Sequence, residues 1–149
     1  METEEIFEMF ILLEQARDAM YDARNKELKK YGISPRESAV LHAIANLGES
    51  VNPTLISRSV DRKPHTIASI LQRMQRKGLV KLTKDSQIKN IVRMKLTEKG
   101  TVAHRASLKR KSIVDIVEIV NNDEMEQLKT TLVNIHKTAT TRARAARGI

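Results

Sequence analysis

Residues 64 to 78 read Pro64-His65-Thr66-Ile67-Ala68-Ser69-Ile70-Leu71-Gln72-Arg73-Met74-Gln75-Arg76-Lys77-Gly78. Pro64 suits the first position of a helix and Gly78 its end. Between them Ile67, Ile70, Leu71 and Met74 fall at i, i+3, i+4 and i+7, a stripe that faces a core. His65, Ser69, Gln72 and Arg76 recur on the opposite side, with Thr66 and Arg73 adjacent, and no acid interrupts them. These side chains suit base edges: Arg pairs with guanine, Gln with adenine, Ser and Thr with several groups. An ordinary solvated face has the same pattern, so the neighbouring segments decide between the two readings.

Upstream, Asn52-Pro53 starts a short helix carrying Leu55, Ile56 and Val60, and Asp61-Arg62-Lys63-Pro64 breaks it. Two short capped helices in tandem are the layout of a helix-turn-helix, with Arg62 and Lys63 at the mouth of the second. Before them, Ser34-Pro35-Arg36-Glu37 is a capping box followed by the apolar stripe Val40, Leu41, Ile44 and Leu47, stopped by Gly48. Ile6, Phe10, Leu13, Met20, Leu28 and Tyr31 mark one helix of roughly 25 residues, ended by Gly32. That length exceeds what one small core requires. It points to packing against a partner chain, or to a helix laid across its own domain.

Downstream the period changes to two. Leu79–Thr83 and Asn90–Leu96 read as strands, with Val92, Met94 and Leu96 on one buried face and a loop over 84–89 between them. A basic hairpin beside such a helix is a wing that reaches phosphates or the minor groove; a merely structural hairpin is the alternative. Thr97 caps a helix expected to run to about Val120, basic at Arg105, Lys109, Arg110 and Lys111 and apolar at Ile113, Ile116, Val117 and Val120. Asn121 with Glu124 caps a last helix striped by Met125, Leu128, Leu132 and Ile135. Arg142, Arg144 and Arg147 are expected to form a frayed or phosphate-seeking tail.

Charge agrees with this layout. The chain has 149 residues and a formal net charge of +9. Residues 53–111 hold 16 Lys/Arg against Asp61, Asp85 and Glu98, a local net of +13, while the rest is net −4. Such a block favours polyanions. Phe7, Phe10, Tyr21 and Tyr31 all lie upstream of it, so no ring is available there to stack single-stranded bases, and duplex DNA is the better partner. The absence of cysteine excludes disulfides, thiolate metal sites, a cysteine nucleophile and a thiol redox switch. The longest apolar run, Met9–Leu13, is far too short for a membrane span, and the acidic start is no signal peptide, so the chain reads as a single-domain cytoplasmic protein. His42, His65, His104 and His136 follow no metal-ligand or catalytic spacing, and no phosphate loop is present. The reading is a non-enzyme without cofactor or metal.

The chain resembles the MarR family of winged helix-turn-helix transcription regulators. The resemblance rests on Met74-Gln75-Arg76-Lys77-Gly78-Leu79-Val80 and Lys95-Leu96-Thr97-Glu98-Lys99-Gly100. Family members commonly carry a Leu-x-x-Lys-Gly-Leu-Ile/Val turn, a wing, then Leu-Thr-x-x-Gly at this interval. One stretch departs: the family's wing usually reads Asp-x-x-Asp-Arg-Arg, and here Asp85-Ser86-Gln87-Ile88-Lys89-Asn90 keeps only the first Asp. Lys89 is left as a point-charge phosphate contact.

The resemblance implies a mainly α fold with a small β-hairpin wing, flanked by N- and C-terminal dimerisation helices. Residues 1–32 become the N-terminal dimerisation helix, 33–100 the DNA-binding domain, and 101–149 the C-terminal dimerisation helices. A homodimer would place two recognition helices in successive major grooves of a pseudo-palindromic operator, roughly 34 Å apart. Arg62, Lys63, Pro64, His65, Thr66, Ser69, Gln72, Arg73, Arg76 and Lys89 are the expected DNA contacts. The family often binds small aromatic effectors between dimer helices and winged domain. Phe10, Tyr31, His42 and His104 are candidates for such a pocket, equally readable as core or surface. The function implied is a DNA-binding repressor; the rivals are a sequence-tolerant architectural DNA binder and a protein-interaction adaptor.

Overall fold

Each of the helix starts read from the sequence nucleates a helix where its capping chemistry predicts. The computed structural model describes residues 2–48, 51–88 and 91–148. In chain order these form α1 (Thr3–Lys29), α2 (Pro35–Leu47), α3 (Pro53–Ser59), α4 (Pro64–Arg76), β1 (Val80–Lys84), β2 (Val92–Leu96), α5 (Glu98–Ser107), α6 (Lys111–Val117) and α7 (Asn122–Ala145). Ser34 accepts from the Glu37 N–H while Glu37 reaches back to the Ser34 N–H, the reciprocal box that fixes the start of α2. Asn52 caps α3 through the Leu55 N–H at 2.9 Å, and Thr97 caps α5 through the Gly100 N–H at 3.0 Å.

The chain divides into two units, Met1–Ile113 and Val114–Ile149. The core lies in the first. α2 is its hub, packing against α1, α3, α4, α5 and β2. Val40, Leu41 and Ile44 of α2 meet Ile56 of α3, Ile67, Ile70, Leu71 and Met74 of α4, Leu79, Val80 and Met94 at the hairpin, and Ala103 of α5. α1 contributes only Leu28 to the fully buried set; Ile6, Phe7, Met9, Phe10 and Leu12 in its first half are exposed. In the second unit α7 shows Leu128, Leu132, Val133 and Ile135 exposed along its length.

The hairpin is antiparallel, pairing Val80 with Leu96, Leu82 with Met94 and Lys84 with Val92. The period-two reading is correct and the strand bounds shift by a residue or two. Asn90, expected in the second strand, lies outside the described residues.

Two expectations are corrected. The helix begun by Thr97 does not run to Val120: α5 stops at Ser107 and α6 begins at Lys111, with Arg110 in the left-handed region at φ +49°. Residues 107–111 contain neither proline nor glycine, so no local signal announces the break. α1 creates it. Arg24 Nη2 donates to the Ser107 carbonyl at 2.6 Å, taking an orphan acceptor at the end of α5. Glu27 accepts from the Lys111 N–H at 3.0 Å and the Ser112 N–H at 3.2 Å, and also from the Ser112 hydroxyl, so it caps α6 from another helix. Arg24 and Glu27 are themselves paired at 2.8 Å. The second correction concerns the C-terminus: Arg142 and Arg144 lie inside α7, which stays helical to Ala145, and only Arg147 falls beyond it.

Candidate nucleic-acid interface

α4 is positioned by its ends as much as by its apolar stripe. At its C-terminus the Gly78 N–H donates to the Gln75 carbonyl and the Leu79 N–H to the Met74 carbonyl, both at 2.9 Å, with Gly78 at φ +71°. This is a Schellman turn, which requires a residue free to adopt a left-handed conformation. The same turn is clasped by the start of α5. Thr97 Oγ1 donates to the Gly78 carbonyl at 2.6 Å, the Thr97 N–H donates to the Leu79 carbonyl at 3.1 Å, and Lys99 Nζ donates to the Lys77 carbonyl at 2.8 Å. Gly100 packs so closely that an added Cβ would stand 2.0 Å from the Leu79 carbonyl oxygen. The two sequence motifs, 18 to 22 residues apart in the chain, are thus the two halves of one joint between α4, the hairpin and α5.

With Ile67, Ile70, Leu71 and Met74 buried behind it, the opposite side of α4 is open. His65, Ser69, Gln72 and Arg76 are all exposed, Pro64 lies exposed at the first position, and Thr66 is half-buried at the margin. Ser69 Oγ donates to the His65 carbonyl at 3.1 Å, its hydroxyl oxygen still open to accept. Lys63, exposed, is the N-cap residue. Arg62 is exposed and its guanidinium donates to the Asp61 carbonyl at 2.9 Å, while its own carbonyl accepts from the Ser57 hydroxyl, tying the turn to α3. Arg62, Lys63, Pro64, His65, Ser69, Gln72 and Arg76 are thus exposed in a stretch of chain with no acidic residue between them. Lys89 lies outside the described residues.

Arg73 stands apart from the other expected contacts. Its Nε donates to Glu37 Oε1 at 3.0 Å, and Lys77 Nζ donates to Glu37 Oε2 at 2.8 Å. One edge of its guanidinium, at Nε, is thus held against α2. Glu37, which the sequence marks only as a capping residue, is fully buried.

The hairpin carries a brace that the aligned family pattern does not locate. Asp85 accepts from the Gln87 N–H at 2.8 Å and the Ile88 N–H at 3.1 Å, and from Arg93 Nε at 2.6 Å. The Gln87 N–H, then Arg93 and the Ile88 N–H, hold its carboxyl below the usual carboxylate range. The arginine comes from β2, several residues past the position the family pattern suggests, and only its antiparallel pairing brings it back to Asp85. Ile88 is exposed at the tip.

The four candidates for an effector pocket do not share one cavity. Phe10 and Tyr31 are separated by roughly 30 Å of chain rising along α1, and Phe10 is exposed beside Phe7. Tyr31 borders an open hollow with Glu98, Lys99, Val102 and Ala103. His42 and His104 do meet: His42 Nδ1 lies 3.2 Å from His104 Nε2, and Asn46 Nδ2 lies 3.0 Å from His42 Nε2. Burial first, then His42, Arg110 and Arg105, holds the His104 pKa down. A hollow of about 150 Å³ that the sequence reading did not anticipate lies elsewhere, bounded by Tyr21, Pro35, Arg36, Val40, Val60 and Ile70. No cluster of three or more His, Cys, Asp or Glu forms among the described residues, and no described helix is long and apolar enough to cross a membrane.

A tandem helix pair, a hairpin and an exposed second helix together define the winged helix-turn-helix class. Comparison with known proteins is specific within that class: a MarR family model matches residues 31–87. The organohalide-sensing transcriptional regulator RdhR-CbdbA1625, in its 2,4-dichlorophenol bound form, is 26% identical at a TM-score of 0.83, over 93% of this chain and 82% of that one. A mutant of E. coli MarR complexed with operator DNA is 19% identical at 0.78, over 88% and 95%. CouR from Rhodococcus jostii RHA1, bound to p-coumaroyl-CoA, is 22% identical at 0.74, over 85% and 90%. No curated protein sequence matches the chain. The MarR resemblance read from the paired motifs is borne out, and the fold is that of the family's transcription regulators.

Proposed function

We propose that this protein is a sequence-specific, duplex-DNA-binding transcription regulator, acting as a homodimer that represses by occupying a pseudo-palindromic operator. The observation that carries the reading is the α4 surface: His65, Ser69, Gln72 and Arg76 exposed and acid-free, with four fully buried anchors behind them. Arg62, Lys63, Pro64, Thr66 and Arg73 border this surface, and Lys89 is assigned to the wing's backbone contact. The relative from E. coli bound to operator DNA supports the partner. The exposed apolar residues of α1 and α7 support a second copy of the chain as the other partner. Residues 33–100 are then the DNA-binding module, and 1–32 with 101–149 the dimerisation segments. Relief by a small aromatic effector is part of the proposal, supported by the dichlorophenol and coumaroyl-CoA complexes of similar proteins.

Selection of genomic fragments by the purified protein tests the reading. The expected result is one enriched palindrome preferred over random duplex by at least about 10³-fold at physiological salt. A flat preference would establish the architectural binder instead, and no duplex binding at low salt the adaptor.

A further inference from the structure

Among the described residues, three helices begin with capping boxes, closed by Glu5, Glu37 and Glu124. The reciprocal bond to the N-cap N–H is 3.0 Å in all three. Glu5 and Glu124 do this while exposed to solvent. Capping therefore explains neither the complete burial of Glu37 nor its two further partners. Those partners both come from the α4 end of the fold, and they are used differently. Lys77 Nζ is bonded twice, to Glu37 Oε2 at 2.8 Å and to the Gly32 carbonyl at 3.1 Å, and so ties α4 to the α1–α2 turn. Arg73 gives Glu37 only its Nε, at 3.0 Å, and its side chain remains 49% exposed.

A guanidinium is planar, so fixing Nε against a buried carboxylate also fixes the plane and the direction of the two Nη groups. Arg73 shares a helical stripe with Thr66, Ser69 and Arg76, at i+7, i+4 and i−3. We propose that Glu37 is a positioning residue that presents the free Nη edge of Arg73 to a guanine in the major groove, making the Glu37–Arg73 pair a determinant of operator specificity. This rests on the reading of α4 as the DNA-contacting helix. The inference follows from preorganisation: a long, flexible side chain ordered before DNA arrives loses little freedom on contact, and its fork meets guanine O6 and N7 with fixed geometry. Glu37 also cancels charge that would otherwise attract any phosphate, which sharpens the distinction between operator and bulk duplex.

The test uses the full-length protein, its selected operator and a random duplex. Glu37→Gln keeps the side-chain shape and weakens the anchor. Operator affinity should fall about ten- to hundredfold, the range of one bidentate base contact, while random-duplex affinity holds or rises. Arg73→Lys keeps the charge and loses the fork, and should cause a similar loss that disappears when one base pair of each half-site is changed. In the Arg73→Lys background, Glu37→Gln should add little. Equal losses on operator and random duplex, or losses that simply add between the two substitutions, would overturn the proposal. If Glu37→Gln fails to fold, Arg73→Lys across singly substituted operators still decides: a loss uniform over every base pair overturns it. A wild-type protein that prefers no duplex removes the DNA reading itself, a failure visible before any substitution is made.

Discussion

A single carboxylate on α1, Glu27, closes the N-terminus of a different helix, and its protonation state follows from that duty. Burial alone would raise its pKa. The Ser112 hydroxyl, the Arg24 guanidinium and the Ser112 N–H outweigh burial and lower it from 4.5 to about 2. Because the folded value lies below the unfolded one, the stabilisation is fully present above pH 4.5 and is lost as pH falls toward 2. Glu27→Gln should cost about 1.5–3 kcal/mol near neutrality. It should also flatten the dependence of the urea midpoint on pH across that window; an unchanged slope would show that other carboxylates govern acid unfolding. His104 has the same sign for a different reason, since burial disfavours its charged form. Its stabilisation is present above pH 6.5 and declines below it. The thermal midpoint of the wild type should therefore drop between pH 7.5 and 5.5 by more than that of His104→Asn, as read by circular dichroism.

Among the elements, the joint between α4, the hairpin and α5 shows what the sequence makes legible. The capping residues Ser34, Asn52, Thr97 and Asn121, the apolar stripe of α4 and the period-two strands are local signals, and each locates its element within about two residues. The Lys77-Gly78-Leu79 and Thr97–Gly100 motifs are likewise visible, although only the structure shows that they touch. Gly100→Ala tests that contact. Its Cβ would meet the Leu79 carbonyl oxygen at 2.0 Å, so α5 must retreat, at a cost of about 1–3 kcal/mol measurable by urea unfolding. Wild-type stability in this variant would mean that the joint opens freely. The features that stayed hidden share one cause: their partners come from distant elements. Glu37 reads locally as a cap and only the packing of α2 on α4 turns it into an anchor for Arg73. The Asp85–Arg93 brace depends on strand register, and the break at 108–110 is written in α1 rather than in its own residues.

For the whole molecule, the decisive property is how much apolar surface one chain leaves uncovered. Ile6, Phe7, Met9, Phe10 and Leu12 on α1, and Leu128, Leu132, Val133 and Ile135 on α7, are all more than 40% exposed. A run of exposed apolar side chains along a helix is the mark of an interaction site. Light scattering should give twice the chain mass of 16.9 kDa, and Phe10→Asp should return it to one chain at micromolar concentration. A wild type of single mass would remove the dimer from the proposal. Each dimer would then bring two α4 surfaces to DNA, and the logarithm of affinity should fall steeply and linearly with the logarithm of salt. The Arg24–Glu27 pair carries one more lesson, for anyone exchanging parts between relatives. The first helix holds the groups that finish α5 and begin α6, so a chimera that takes it from another regulator must take residues 107–112 from the same donor. Without them, two helix ends inherited from one parent would be left without the closures supplied by the other.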